Sequence, residues 1–394
     1  MQATQAEPNL SRAFEMVMEL MAIFGKTGNE AEVAAYIKTK LLAAGYTEEQ
    51  LLVDATNQKT PTPSNTGNLI LTLPGTVDGP RRLLSAHMDT VPICVGSQPV
   101  VNGRFVHSAD PTTGLGADDR AGTAVLLSTA LEIIENNLLH PPLTFCWFIQ
   151  EETGMHGARL VSKDDLSHPE LAFNWDGGAA TKLSVGATGS YRIRAKIEGL
   201  ASHAGGAPEK GVSAIAIAAH AIAHLDQNGW HGKVVKSSGE GTSNVGFIAG
   251  GEATNVVTDL VHVRAEARSH DPDFRKEMLT QIEGAFLKAA EAVTNVDGAA
   301  GKVTFDNNLV YESFRLADDD PSLLEVEKVI RGLGLEPERS IANGGLDANW
   351  LTANGIPSVT MGCGQQDPHT VNEMLNLDEF DNACRIGLRL ATQV

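Results

Sequence analysis

The chain has 394 residues, 42% apolar and 20% charged, the balance of a globular protein too long for one ordinary core. Its formal net charge of -19 argues against nucleic acid or an anionic membrane as partner. Cys94, Cys146, Cys363 and Cys384 form no CxxC pair, and no apolar run reaches the ~18 residues of a membrane span, so a cytoplasmic protein with reduced, buried thiols is expected.

Residues 9–45 predict two helices broken at Gly25-Lys-Thr-Gly28, with Asn29 as N-cap of the second and Glu30 and Glu32 in its first turn. Asn68–Leu73 and Arg82–His87 read as strands separated by a Pro/Gly turn. A helix is expected from Asp119 to Asn137, then strands at Leu143–Gln150 and Leu171–Trp175. This alternation implies an α/β fold with a mixed, mainly parallel sheet and helices on its faces. The character changes near Gly186. Tyr191-Arg-Ile-Arg-Ala-Lys-Ile197 alternates polar and apolar residues, as in a sheet with one solvated face. A helix at Lys210–Leu225, strands around Ser243–Ala249 and Val256–Ala267, a helix at Asp273–Ala292 and a strand at Lys302–Tyr311 follow. That order is ferredoxin-like. After Ser313 the α/β pattern returns, with helices at Pro321–Gly332 and near Leu346–Thr352, a strand at Pro357–Gly362 and a last helix from Leu377. The simplest organisation is a discontinuous domain, residues 1–185 and 313–394, interrupted by an α+β insertion at 186–312.

Five clusters of metal-type side chains fall just after, or shortly beyond, the apolar runs of the first domain. They are His87-Met-Asp89, Asp118-Asp119, Glu151-Glu152, Asp176-Gly-Gly178 and Asp367-Pro-His369. An α/β sheet gathers function at the carboxyl ends of its strands, so these distant residues can meet. Two imidazoles and several carboxylates form a ligand set for two zinc-like ions. Asp89, two residues beyond His87 at a strand end, is spaced to take the second ring N–H of a metal-bound imidazole. Neighbours Glu151 and Glu152 point opposite ways on an extended segment, so one can bind metal while the other carries protons. Taken singly, each cluster has a plain explanation: a surface turn, acids favouring a helix dipole, solvated loop carboxylates. Their conjunction points to a metal-dependent hydrolase. The Gly114-Leu-Gly116 run lacks the third glycine of a dinucleotide fingerprint and follows no clear strand.

The ordered set His87-Met-Asp-Thr-Val-Pro92, Gly114-Leu-Gly-Ala-Asp-Asp-Arg-Ala-Gly122, Gln150-Glu-Glu-Thr-Gly154, Asp176-Gly-Gly and Asp367-Pro-His-Thr-Val-Asn-Glu373 resembles the peptidase T-like dinuclear zinc peptidases. That family also contains aminoacylases and glutamate carboxypeptidases. The resemblance covers essentially the whole chain and implies a zinc-peptidase catalytic domain carrying an inserted lid and dimerisation domain. It implies two zinc ions, with manganese or cobalt as replacements in vitro. His87 and Asp176 would bind one ion, Glu152 and His369 the other, and Asp118 would bridge both. Asp89 would support His87, and Glu151 would be the general base on the bridging water. The peptide bond after the bridging aspartate, here Asp118–Asp119, is typically cis in the family.

In the insertion, Leu200-Ala-Ser-His203-Ala-Gly-Gly206 resembles the loop whose histidine reaches across a homodimer to the oxyanion. Asn255, Arg268, Gly344 and Gly345 match substrate-contacting positions, although Asp347 could instead N-cap the next helix. Ala204 stands where proline is usual, and Ser213 replaces an asparagine. Aspartate at position 176 accompanies aminopeptidase and dipeptidase members, which implies an aminopeptidase acting on short peptides, tripeptidase-like. The alternatives are a deacylase of N-acyl amino acids and a catalytically silent metal- or peptide-binding protein. The helix bearing Ile215, Ile217, Ala218 and Ile222 is the expected dimer contact, and His220 and His224 on it are read as structural.

Overall fold

The protein is described here by a computed structural model of residues 6–393. The elements run α1 (Leu10–Ala22), α2 (Ala31–Ala44), β1 (Leu51–Val53), β2 (Leu69–Leu73), β3 (Arg82–His87), β4 (Pro99–Asn102), β5 (Phe105–Ser108), α3 (Ala117–Glu135), β6 (Leu143–Phe148), α4 (His156–Leu160), β7 (Leu171–Trp175) and β8 (Lys182–Ala187). Next come β9 (Gly189–Glu198), β10 (Ser202–His203), α5 (Ala214–Gln227), β11 (Gly232–Lys236), β12 (Gly239–Gly250), β13 (Val256–Val257), β14 (Leu260–Ser269), α6 (Pro272–Ala292) and β15 (Lys302–Tyr311). The chain closes with β16 (Phe314–Arg315), α7 (Pro321–Gly332), β17 (Glu338–Ala342), α8 (Asp347–Ala353), β18 (Val359–Met361), β19 (Gln365–Gln366), β20 (Met374–Asn376) and α9 (Leu377–Thr392). Two compact units result: the chain up to Gly186 with Arg315–Ala342 and the chain from Leu346, and a second of Ala187–Phe314 with Asn343–Gly345.

In the first unit the central sheet runs β1-β2-β6-β3-β7-β18-β8. Its centre, β6-β3-β7-β18, is parallel, and antiparallel pairs flank it. Every residue of β3, β6 and β7 is buried, as expected of strands covered on both faces. α3 packs on the sheet with α1 and α9 outside it, and is buried from Ala117 to Ile133. The opposite face seats Leu83, Cys146 and Phe148 against Ala158 of α4 and Leu351 of α8. A small four-stranded sheet, β19-β20-β5-β4, was not anticipated; its strands are two to four residues long and carry little periodicity. The four cysteines are free and buried. Among the described residues, no helix is long and apolar enough to cross a membrane.

The second unit is an antiparallel sheet, β11-β12-β14-β9-β15, with α5 and α6 on one face. Leaving out β11 and the separate two-stranded pair β10-β13, the chain order is strand-helix-strand-strand-helix-strand and the spatial order is second-third-first-fourth, the ferredoxin-like arrangement. Alternate residues Ile193, Ala195 and Ile197 of β9 pack with Ile217 and Ala218 of α5 and with Ile282 and Phe286 of α6.

Three local expectations are corrected. The N-cap of α2 is Glu30, and its carboxylate turns into the protein instead of serving the helix. α5 begins at Ala214, capped by Ser213, whose hydroxyl accepts the Ala216 N–H at 3.1 Å. Of the apolar residues assigned to a dimer contact, Ile217 and Ala218 belong to the unit's own core and Ile222 packs against it, whereas Ile215 is exposed.

Candidate metal centre

The site is built at the carboxyl ends of β3, β6 and β7. His87 ends β3 and lies level with Phe148, the last residue of β6, so Glu151 and Glu152 emerge beside it. Asp89 ties this corner together. Its carboxylate accepts the Thr27 hydroxyl at 2.7 Å and the backbone N–H groups of Glu151 and Glu152 at 2.9 and 3.2 Å. It also stands 3.4 Å from His87 Nδ1, which lies 3.1 Å from the Asp89 carbonyl. The back nitrogen of His87 is thus occupied, and Nε2 is left for the site.

Asp118 is presented by a turn at the head of α3. Gly116 adopts φ 81°, a left-handed conformation that favours glycine, and the Asp118–Asp119 peptide is cis. Glu373 grips this turn: its carboxylate accepts the N–H groups of Gly116 at 2.7 Å and Asp118 at 3.0 Å. Asp119 faces away and accepts the His87 and Gly122 N–H groups at 3.2 and 2.9 Å, and Gln365 Nε2 at 2.9 Å. A Cβ at Gly122 would stand 2.5 Å from Asp119 Oδ1, so only glycine fits there.

The two oxygens of Asp118 then diverge. Oδ1 lies 3.2 Å from His87 Nε2, and Oδ2 lies 3.2 Å from His369 Nε2. His369 Nε2 is also 3.0 and 2.9 Å from the two oxygens of Glu152. His369 and Asp367 hold positive φ, 64° and 48°, a costly backbone for L residues that recurs at functional sites.

The electrostatics test whether cations belong here. Asp89, Asp118, Asp119, Glu151, Asp347 and Glu373 are all buried, and Arg120 is the buried guanidinium among them. Burial pushes Glu151 and Asp176 well above the carboxylate range, and Glu152 to about 7, with the Asp118 charge adding to Glu152 and Asp176. Hydrogen bonds to Asp118 and Glu152 raise His369 to about 10. Burial would lower His87, but Asp118 and Asp89 hold it well above its usual value. Crowded carboxyls and proton-holding imidazoles are the mark of a site short of positive charge. Donor atoms of His87, Asp118 and Glu152 lie within 4.8 Å of one another. The 2.9–3.2 Å separations are close to the ~3.3 Å edge between neighbouring ligands of a tetrahedral ion held at ~2.0 Å. The residues fit divalent ions.

His87, Asp89, Asp118, Glu151, Glu152, Asp176 and His369 therefore share one site, with Asp176 placed by its N–H to the Met361 carbonyl at 2.9 Å. His203, Asn255, Arg268, Gly344 and Gly345 lie in the second unit. There Arg268 is engaged by both oxygens of Glu266, at 3.0 and 2.9 Å, and by the Asn343 carbonyl at 3.3 Å. The Ala204 N–H donates to the Asn255 carbonyl at 2.9 Å.

Sequence reasoning gave four buried carboxyls no part in the site. Besides Glu373 and Asp119, Glu30 accepts the Gly28 and Gln150 N–H groups at 2.8 and 3.1 Å and is pushed to about 7 by burial and then by Asp89. Asp347 is not an N-cap: Leu346 occupies that position, and among the described residues both buried Asp347 oxygens lack a hydrogen-bond partner. An acid directly before or inside a helix start is the only signal either gave.

A family model described as Peptidase family M20/M25/M40 matches residues 83–393. The uncharacterized protein YqjE of Bacillus subtilis is 33% identical over 374 residues, covering 94% of this chain and 95% of its own. A solved tripeptidase from Staphylococcus aureus is similar with a TM-score of 0.88 at 32% identity, covering 98% of this chain and 99% of its own. The crystal structure of aminopeptidase PepT from Bacillus cereus is similar with a TM-score of 0.85 at 32% identity and 98% coverage of each chain.

Proposed function

The chain belongs to peptidase family M20/M25/M40, and from that premise we propose that it is a two-zinc aminopeptidase releasing the N-terminal residue of short peptides, tripeptides foremost. The observation that carries the reading is the divergence of the Asp118 oxygens, one toward His87 and one toward His369. Such a carboxylate suits a bridge between two ions. His87 and Asp176 would hold one ion, and Glu152 and His369 the other. When bound, the pair supplies a water of lowered pKa and polarises the scissile carbonyl.

The chain's own residues do the rest. Glu151 is fixed by its N–H to Asp89 and lies beside the ligand Glu152. It takes a proton from the attacking water and returns it to the departing amine, so the nucleophile forms and the leaving group departs neutral. Asp89 keeps His87 in the orientation that offers Nε2. His203, supplied across a homodimer, is assigned as a donor to the developing oxyanion. Asn255, Arg268, Gly344 and Gly345 are assigned to the substrate, with Arg268 exchanging Glu266 for a peptide carboxylate.

Metal analysis combined with cleavage of a peptide library tests the assignment. Two zinc equivalents, with release of the first residue from free tripeptides but not from N-acylated ones, are the expected result. Preferential hydrolysis of N-acyl amino acids would replace the peptidase by a deacylase. A zinc-loaded protein that cleaves no peptide or amide would end the enzymatic reading.

A further inference from the structure

The loop after β10 carries a histidine whose ring is held in an unusual way. β10 pairs with β13, His203 opposite Val256, and the chain then folds sharply back. The N–H groups of Gly206 and Ala207 donate to the His203 carbonyl at 3.1 and 2.9 Å. The imidazole lies over the same turn, where its Nδ1 receives the N–H of Gly205 at 3.1 Å and of Gly206 at 2.9 Å. A backbone N–H can only donate, so Nδ1 must present its lone pair, and the proton of a neutral ring must sit on Nε2.

The run of small residues has a matching purpose. A Cβ at position 206 would stand 3.3 Å from Nδ1, close enough that the ring would have to shift by a few tenths of an ångström, whereas one at position 205 would make ordinary contact, 3.5 Å from Cε1. The ring is otherwise exposed, and among the described residues Nε2 has no acceptor.

We infer that the Gly205 and Gly206 amides lock His203 as the Nε2–H tautomer, so that it serves the reaction as a fixed hydrogen-bond donor and not as a base. The two glycines are positioning residues, and the inference rests on the oxyanion role proposed for His203. A donor whose proton is already on the outward nitrogen needs no tautomer change when negative charge develops. A free imidazole would divide its population between two tautomers, only one of which donates from Nε2.

The test is nitrogen NMR of the zinc-loaded, full-length protein with labelled histidine, the His203 signals being assigned by their loss in His203→Ala. A pyridine-type shift at Nδ1 and a pyrrole-type shift at Nε2 are expected. Gly205→Ala keeps the amide and should keep that pattern. Gly205→Pro removes the amide, and should move both shifts toward tautomer averaging while kcat falls about three- to tenfold at unchanged zinc content. A wild-type spectrum with the proton on Nδ1, or averaged tautomers in the wild type, would overturn the lock, and a Gly205→Pro protein with wild-type shifts and kcat would overturn the part given to Gly205. The spectrum is read without turnover, so absent peptidase activity would strike the functional assignment and leave the tautomer result standing.

Discussion

Glu151 has the most to do and the least freedom. Its N–H is fixed on Asp89 at 2.9 Å, and burial holds its carboxyl well above the ordinary range. Glu151→Gln preserves shape and the backbone bond but cannot carry a proton. It should bind zinc fully while kcat falls by roughly three orders of magnitude or more; near-normal turnover at full zinc occupancy would assign the proton transfer elsewhere. The histidines make a second prediction. Without metal, His369 is raised to about 10 and His87 well above its usual value, so both rings are protonated at neutral pH. A metal ion needs the neutral ring, and binding must therefore expel protons. Zinc affinity should rise with pH from 6 toward 9, and calorimetric heats at neutral pH should vary with the buffer's ionisation enthalpy. Heats independent of buffer would mean that the rings are neutral beforehand.

At the scale of elements, short contacts between remote segments set the ligand geometry. Glu373, just before β20, holds the Gly116–Asp118 turn from 255 residues away in sequence. Glu373→Ala should loosen that turn and weaken zinc binding by about ten- to a hundredfold in a competition with a chelator. Unchanged affinity would show that the turn holds itself. This contact also marks where sequence reading runs out. β3 and β7 were predictable to the residue, because these fully buried strands are short, mostly apolar segments that end at His87 and Trp175. The clusters were visible because they follow those strands, whereas the part assigned to each residue came from the family resemblance. Glu373 and Glu30 were not legible in this way, since the bonds that tie them to the Gly116–Asp118 turn and to Gly28 and Gln150 come from backbone N–H groups, and a backbone donor leaves no trace in residue identity. The start of α3 lies close to the expected Asp119: Asp118 and Asp119 hold non-helical angles, and the helix runs on regularly beyond them.

At the scale of the molecule, each unit has its own core, so stability and metal binding can be separated. Phe286 is buried in the second unit and meets Phe305 edge-on with ring centroids 6.4 Å apart. Phe286→Ala should cost that unit about 3–5 kcal/mol, seen by scanning calorimetry, while zinc stoichiometry stays at two. Loss of zinc in that variant would mean that the ligands depend on the inserted core. The negative charge of the whole chain is matched in the site, where buried carboxyls outnumber buried cations; a pair of divalent ions would balance them.

Anomalous diffraction from crystals grown with zinc tests the central claim most directly. Two peaks are predicted, one beside each oxygen of Asp118, the first within bonding distance of His87 Nε2 and the second of His369 Nε2. A single peak, or zinc bound without contact to Asp118, would contradict it.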